Sequence, residues 1–247
     1  MMAKIELYNS SEVKTCFICG EDLHKLDAPK ELHCDFCGKT KTSSSNCDNG
    51  HYICDSCIET PITEHVKQKC LSYKGDSPIE LAVMIMDSPI IKMHGPEHHF
   101  IVPAVLLTCI ANKTGKRDEL VEKLEIAERR AKAETPNVCN YSIGTCGAAI
   151  GTGVFLSIFM DRENQHEDAW SITNLIVAES LKLVAESDGP RCCKRDTYIS
   201  LEAAIGFLHD RFAVDLPISQ ARCTFSMRNR TCQHEECTYY NIGFSLV

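Results

Sequence analysis

Eight metal-type ligands fall between residues 16 and 57, and no other feature restricts the chain so strongly. They come in pairs: Cys16 and Cys19 in CFIC, Cys34 and Cys37 in CDFC, Cys47 and His51 in CDNGH, Cys54 and Cys57 in CDSC. A CxxC turn lets two thiolates reach one ion, and eight ligands fill two tetrahedral zinc sites. A segment this short folds on its metals rather than on an apolar core. Gly20 and Gly38 each follow the second cysteine of a pair, where a turning backbone favours positive φ.

The succession of pairs is similar to a treble-clef or RING-like cross-brace. There the first and third pairs share one metal, and the second and fourth share the other. By that resemblance Cys16, Cys19, Cys47 and His51 hold one ion, and Cys34, Cys37, Cys54 and Cys57 hold the second. Two ribbon-like sites in another order would use the same residues, and His51 has the plain alternative of an exposed histidine. Closed four-ligand sites leave no position for a substrate, so the expected role of zinc is structural.

The other cysteines bear on compartment and chemistry. The 247-residue chain has 16 cysteines; seven fall before residue 60, mostly in CxxC pairs, which reads as metal binding in a reducing cytosol rather than as a disulfide framework. Met1 to Ser10 is mixed and polar, without the apolar region of a secretory signal. A cytoplasmic location is expected. The net charge of −8 argues against a general affinity for nucleic acid or an anionic membrane, and 44% hydrophobic residues suffice for a real core.

Beyond a boundary near residue 60 the pattern is helical. The expected organisation is a zinc module over residues 1–59 and an α-helical domain over 60–247 with an irregular tail, mostly α overall. Thr60-Pro61 starts a helix that runs to Cys70 or Leu71. Ser77-Pro78-Ile79-Glu80 is a capping box before Leu81 to Met86. Phe100 to Ala111 is apolar and helical in length. Leu120, Val121, Leu124, Ala127 and Ala131 share one face of an amphipathic helix. Trp170 to Glu186 predicts another, with Ile172, Leu175, Ile176 and Leu183 inward. Leu201, Ala204, Ile205, Leu208 and Phe212 stripe a last helix placed after Asp196. Thr42 to Ser45 reads as a short loop in the metal module.

Asn137 to Met160 has no charged side chain. It is long enough to span a membrane, but it contains Asn140, Tyr141, Ser142, Thr145, Thr152 and Ser157, and no basic cluster flanks it. Its Gly147 and Gly151 also suit close helix packing in a soluble core. It is therefore read as a central buried helix beginning near Ser142 to Cys146, with no membrane span.

Reactive residues gather in three places in this body. His98 and His99 follow the Gly95-Pro96 turn at a helix start, where they are acid–base groups, metal ligands or simply caps. Cys146 stands at the start of the central helix, where backbone N–H groups favour a thiolate. Cys192 and Cys193 lie between basic residues in GPRCCKRD, and cations lower thiol pKa. Cys146, Cys192, Cys193, His98 and His99 are thus the candidate catalytic groups, and the three segments are expected to converge. Near the carboxyl end Cys223, Cys232 and Cys237, plus one cysteine supplied from elsewhere, can hold a [4Fe–4S] cluster. With His234 they can instead hold zinc.

The runs CFICGEDL, CDFCG, CDNGHYICDSC, KMHGPEHHFIVPAVLL, GTCGAAIGTGVF and GPRCCKRDT resemble an uncharacterised domain-of-unknown-function family of methanogens and other anaerobes. The resemblance implies an anaerobic setting and a methyltransferase-like or radical-SAM-like partner. Two functions follow as expectations. One is a redox or sulfur/methyl-handling protein with a thiol or Fe–S site in its helical domain. The other is a non-catalytic zinc-module adaptor that docks such an enzyme.

Overall fold

The computed structural model describes residues 16–19, 21–58, 60–134, 144–160 and 169–240. Gly20, Cys139 and the expected start of the central helix at Ser142 lie outside the described residues. Among the described residues the chain is mostly helical, with one small two-stranded sheet.

The amino-terminal part is built on a hairpin of β1 (Leu23–His33) and β2 (Thr40–Cys47). The strands are antiparallel, with Leu23 opposite Cys47 and His33 opposite Thr40. The register slips between Lys25 and Lys30, where Pro29 sits. Proline lacks the N–H a ladder needs, so an irregularity is where it is tolerated. Thr42 to Ser45 lies in β2 rather than in a loop. Both strands are largely exposed, so they carry no apolar alternation to betray them. Their ends instead abut the ligand pairs, and β2 ends on Cys47 itself. A short helix, α1 (Asp55–Ile58), carries Cys57. Phe36 meets His65 of the next helix with ring centroids 4.9 Å apart.

The body opens with α2 (Ile62–Ser72) and α3 (Pro78–Met86). Ser77 caps α3 as its sequence foretells: its hydroxyl accepts the Glu80 N–H at 3.4 Å. The helix packed against most neighbours is α4 (Glu97–Thr114), buried from Glu97 through Ala111 and touching α2, α3, α5, α6 and α8. Pro103 within it has no N–H to offer the His99 carbonyl. Gly115 ends it with φ 72°, in the left-handed region. The amphipathic α5 (Leu120–Glu134) follows.

The uncharged stretch yields α6 (Gly147–Phe159), buried as expected, with Cys146 at its N-cap. Its glycines serve close packing. A methyl at Gly151 would sit 3.0 Å from the His99 carbonyl oxygen and from Pro103 Cδ, and one at Gly153 would press on Val177. Among the described residues, no helix is long and apolar enough to cross a membrane.

α7 (Ala169–Glu186) departs from expectation in its facing. Ile176 is buried, but Leu175 is 36% and Leu183 44% exposed. The reason lies in how α7 meets α6: Gly153 admits Val177, and Ser180 donates to the Thr152 hydroxyl at 3.3 Å. Small residues set that interface, so its leucines are left outside. The last helix, α8 (Cys193–Phe212), begins about a turn before Asp196, with Cys192 as its N-cap. Leu201, Ala204, Ile205 and Leu208 are buried along the predicted stripe. Beyond it the chain forms short 3-10 turns, Ser226–Arg228 and His234–Glu236, and a parallel bridge between Cys223 and Tyr240.

Candidate metal centres and thiol cavity

Two tetrads occupy the amino-terminal part. Cys16, Cys19, Cys47 and His51 form one group and Cys34, Cys37, Cys54 and Cys57 the other, with the ligand atoms of each within 4.8 Å of one another. These are the cross-brace groupings. Cys19 Sγ lies 3.8 Å from Cys47 Sγ, and Cys37 Sγ 3.8 Å from Cys54 Sγ. His51 Nδ1 is 3.5 Å from Cys47 Sγ. Zinc–thiolate bonds of ~2.3 Å in a tetrahedron set sulfurs ~3.8 Å apart, so the donor set and its spacing fit one such ion per tetrad. Backbone N–H groups already face the sulfurs: Ile18 donates to Cys16 Sγ at 3.4 Å and Cys54 to Cys34 Sγ at 3.3 Å.

In the body, the three separated reactive segments meet at a cavity of about 340 Å3. His98 and His99 come from the start of α4, Cys146 from the N-cap of α6, and Cys193, Arg195 and Asp196 from the first turn of α8. The local structure explains each placement. The Asp188-Gly189 turn, with φ 48° and 75°, reverses the chain so that α8 starts beside α6. The positive φ of Gly189 would strain any L side chain there, and a Cβ would also displace the end of the Gln233 side chain. Gly147 leaves room for the His99 ring, which a methyl at that position would overlap.

The groups around the cavity differ in what they can do. His98 is buried, and its ring nitrogens meet the Thr197 hydroxyl at 2.9 Å and the Lys92 carbonyl at 3.2 Å. A carbonyl oxygen only accepts, so Nε2 carries the proton; the Thr197 hydroxyl beside Nδ1 also lies 2.8 Å from the Cys193 carbonyl, an acceptor for its one proton. Burial, aided by nearby Lys194, holds this imidazole neutral, its pKa well below the ordinary range. His98 thus anchors α4 to α8 and the 92–96 turn. His99 stands next to it, against Gly147. The Cys146 thiol points at Asp196 Oδ2, 3.9 Å away. Asp196 is buried with Arg195, whose Nε is 3.2 Å from Oδ1. Arg195 also donates to the Asp188 carbonyl at 2.8 Å and to Gln233 Oε1 at 2.6 Å.

Cys192 and Cys193 diverge. Cys193 lines the thiol cavity, while Cys192 lines a second cleft together with Cys223, Cys232 and Cys237. His234 is absent from that lining, and its ring packs edge-on against Tyr240 at 5.5 Å. Burial pushes the Cys223 thiol up to about 11, with the neighbouring cysteines adding to the shift. Sequence reasoning missed Arg195 and Asp196 as site residues and Asn229 as a neighbour of Cys192. The first two stand in the same GPRCCKRD run, and an acidic residue closing a basic run was the available signal. Asn229 offered none.

Fold and sites together define a helical protein with cysteine-rich groups able to hold metal. Residues 66–240 match the family described as a family of unknown function, DUF5714, and the chain belongs to that family. The match takes in the cavity and the four-cysteine cleft. No curated protein and no solved structure matches the chain.

Proposed function

We propose that this protein handles sulfur or methyl groups at the Cys146 thiol, on a body attached to a head stabilised by two zinc ions. The observation that carries the reading is the meeting of His99, Cys146, Cys193 and Asp196, drawn from three distant segments, on one cavity of about 340 Å3. Packing alone does not call for a thiol, a carboxylate and an imidazole around one space large enough for a small molecule. Cys146 is the N-cap of α6, where the helix dipole favours a thiolate, and its side chain makes no cap hydrogen bond. Asp196, held by Arg195, accepts the hydrogen bond of the thiol, and the proton leaves to solvent as the thiolate forms. The thiolate attacks a sulfane sulfur or an activated methyl group, and the bond to the donor's leaving group breaks with its electron pair. The product is a persulfide or thioether at Cys146.

A second reading, the adaptor, is favoured by the head. Its closed tetrads leave no open metal position, and its hairpin is exposed. In that reading the body cysteines are structural and the head docks a methyltransferase-like or radical-SAM-like enzyme. Inorganic polysulfide separates the two. Full-length protein kept anaerobic is treated with it, and cysteine peptides are analysed by mass spectrometry. Added sulfane sulfur on the Cys146 peptide, lost in Cys146→Ser and kept in Cys109→Ser, is the expected result. A Cys146 that stays unmodified while Cys232 reacts would sink the thiol reading and leave the adaptor.

A further inference from the structure

Four cysteines from three parts of the sequence line one cleft: Cys192 at the N-cap of α8, Cys223 at the Tyr240 bridge, and Cys232 and Cys237 on either side of the 234–236 turn. N–H donors face three of the four sulfurs. The Phe225 N–H donates to Cys223 Sγ at 3.3 Å, and the His234 N–H to Cys232 Sγ at 3.4 Å. Each donor lies two residues after its cysteine, the same arrangement as Ile18 on Cys16 in the head tetrad. Asn229 Nδ2 reaches Cys192 Sγ at 3.7 Å. A neutral thiol gains little from such donors, whereas a thiolate gains a charge-assisted hydrogen bond.

From this geometry we infer that Cys192, Cys223, Cys232 and Cys237 are the four thiolate ligands of a third metal centre, and that its occupant is an iron–sulfur cluster. Spacing favours a cluster over a single ion. Among the described residues, the groups drawn within 4.8 Å are the two head tetrads, and these four sulfurs are not among them. Four thiolates around a cubane stand farther apart than four around one ion. The space now left between the side chains is about 20 Å3. Cys232 and Cys237 stand half-buried on short turns. Charge is also provided for. Arg195, which also pairs with Asp196, lines the cleft and offsets part of the net negative charge of a four-thiolate cluster. Met93, Tyr198 and Phe225 shield one side from water. Because Cys192 and Cys193 are consecutive, cluster ligand and thiol-cavity wall share one turn of backbone.

The test uses the full chain, purified anaerobically and reconstituted with ferrous iron and sulfide. Wild type should develop broad visible absorption with about four iron and four sulfide per chain. Cys192→Ser and Cys223→Ser should lose most of both. Cys193→Ser, whose thiol faces the other cavity, and Cys37→Ser in the head should keep them. Helical circular dichroism of each variant separates ligand loss from misfolding, and wherever Cys192→Ser does not fold, electron paramagnetic resonance of the reduced Cys237→Ala variant replaces it, with an altered or lost signal expected. A protein that stays colourless, a third zinc in place of iron, or absorption indifferent to Cys192 and Cys237 would overturn the assignment. None of these outcomes bears on the polysulfide reaction at Cys146, so the two proposals fail separately.

Discussion

Gly147 shows how narrowly the thiol cavity is specified. It lies in the first turn of α6, next to Cys146, and the His99 ring fills the space its side chain would need. At an open helical position alanine would gain up to about 1 kcal/mol over glycine. Here the overlap wins, because the ring is buried and α4 is packed on five sides. Gly147→Ala should destabilise the protein by roughly 1–3 kcal/mol in urea denaturation. It should also slow polysulfide labelling of Cys146, since a displaced His99 ring alters the cavity that both residues line. A Gly147→Ala protein as stable as wild type would show that His99 is not held there.

Between elements, charge as well as packing fixes α2 against α5. Lys67 and Lys132 hold the Glu128 carboxylate at 3.1 and 2.6 Å. Burial alone would raise this carboxyl, but hydrogen bonds from Lys132, Thr63 and Lys67 outweigh it and hold the group at about 2. The unfolded carboxyl titrates near ~4.3. The ion pairs therefore contribute fully above that value, and the contribution is lost as pH falls through about 2. Glu128→Gln should cost about 1 kcal/mol at pH 7, a figure reduced for partial solvent screening. The gap from wild type should narrow between about pH 4 and pH 2 in denaturation midpoints. A gap unchanged across that range would contradict the clamp.

The elements also show what the sequence could carry. Helix starts with local signals were legible: the Ser77 box capped α3, and the Leu201-to-Leu208 stripe was buried on α8. Features decided by distant partners were not. β2 is polar and exposed, so only its pairing with β1 and its terminal cysteine mark it as a strand. The buried side of α7 is set by Gly153 and Thr152 on another helix, and hydrophobicity alone placed Leu175 and Leu183 wrongly. The eight head ligands were legible from their spacing, their grouping followed from the resemblance to a cross-brace, and the meeting of His99, Cys146 and Cys193 was anticipated from their places at helix starts. That Cys192 lines a second cleft while Cys193 lines the first was not anticipated, since it depends on α8 starting at Cys193.

On the scale of the molecule, the chain separates two uses of cysteine. In the head, tightly drawn tetrads take the place of a core around an exposed hairpin. In the body, the first turn of α8 lies between a thiol cavity and a four-cysteine cleft, with Arg195 in the wall of both. Zinc in the first setting and iron with sulfide in the second is the division proposed here. Elemental analysis of the anaerobically reconstituted full chain, with a sulfide assay, tests it most directly. The account predicts about two zinc and about four iron with matching sulfide, with one zinc lost in Cys19→Ser and the iron lost in Cys192→Ser. Zinc alone at three per chain, or iron that stays when Cys192 is removed, would contradict it.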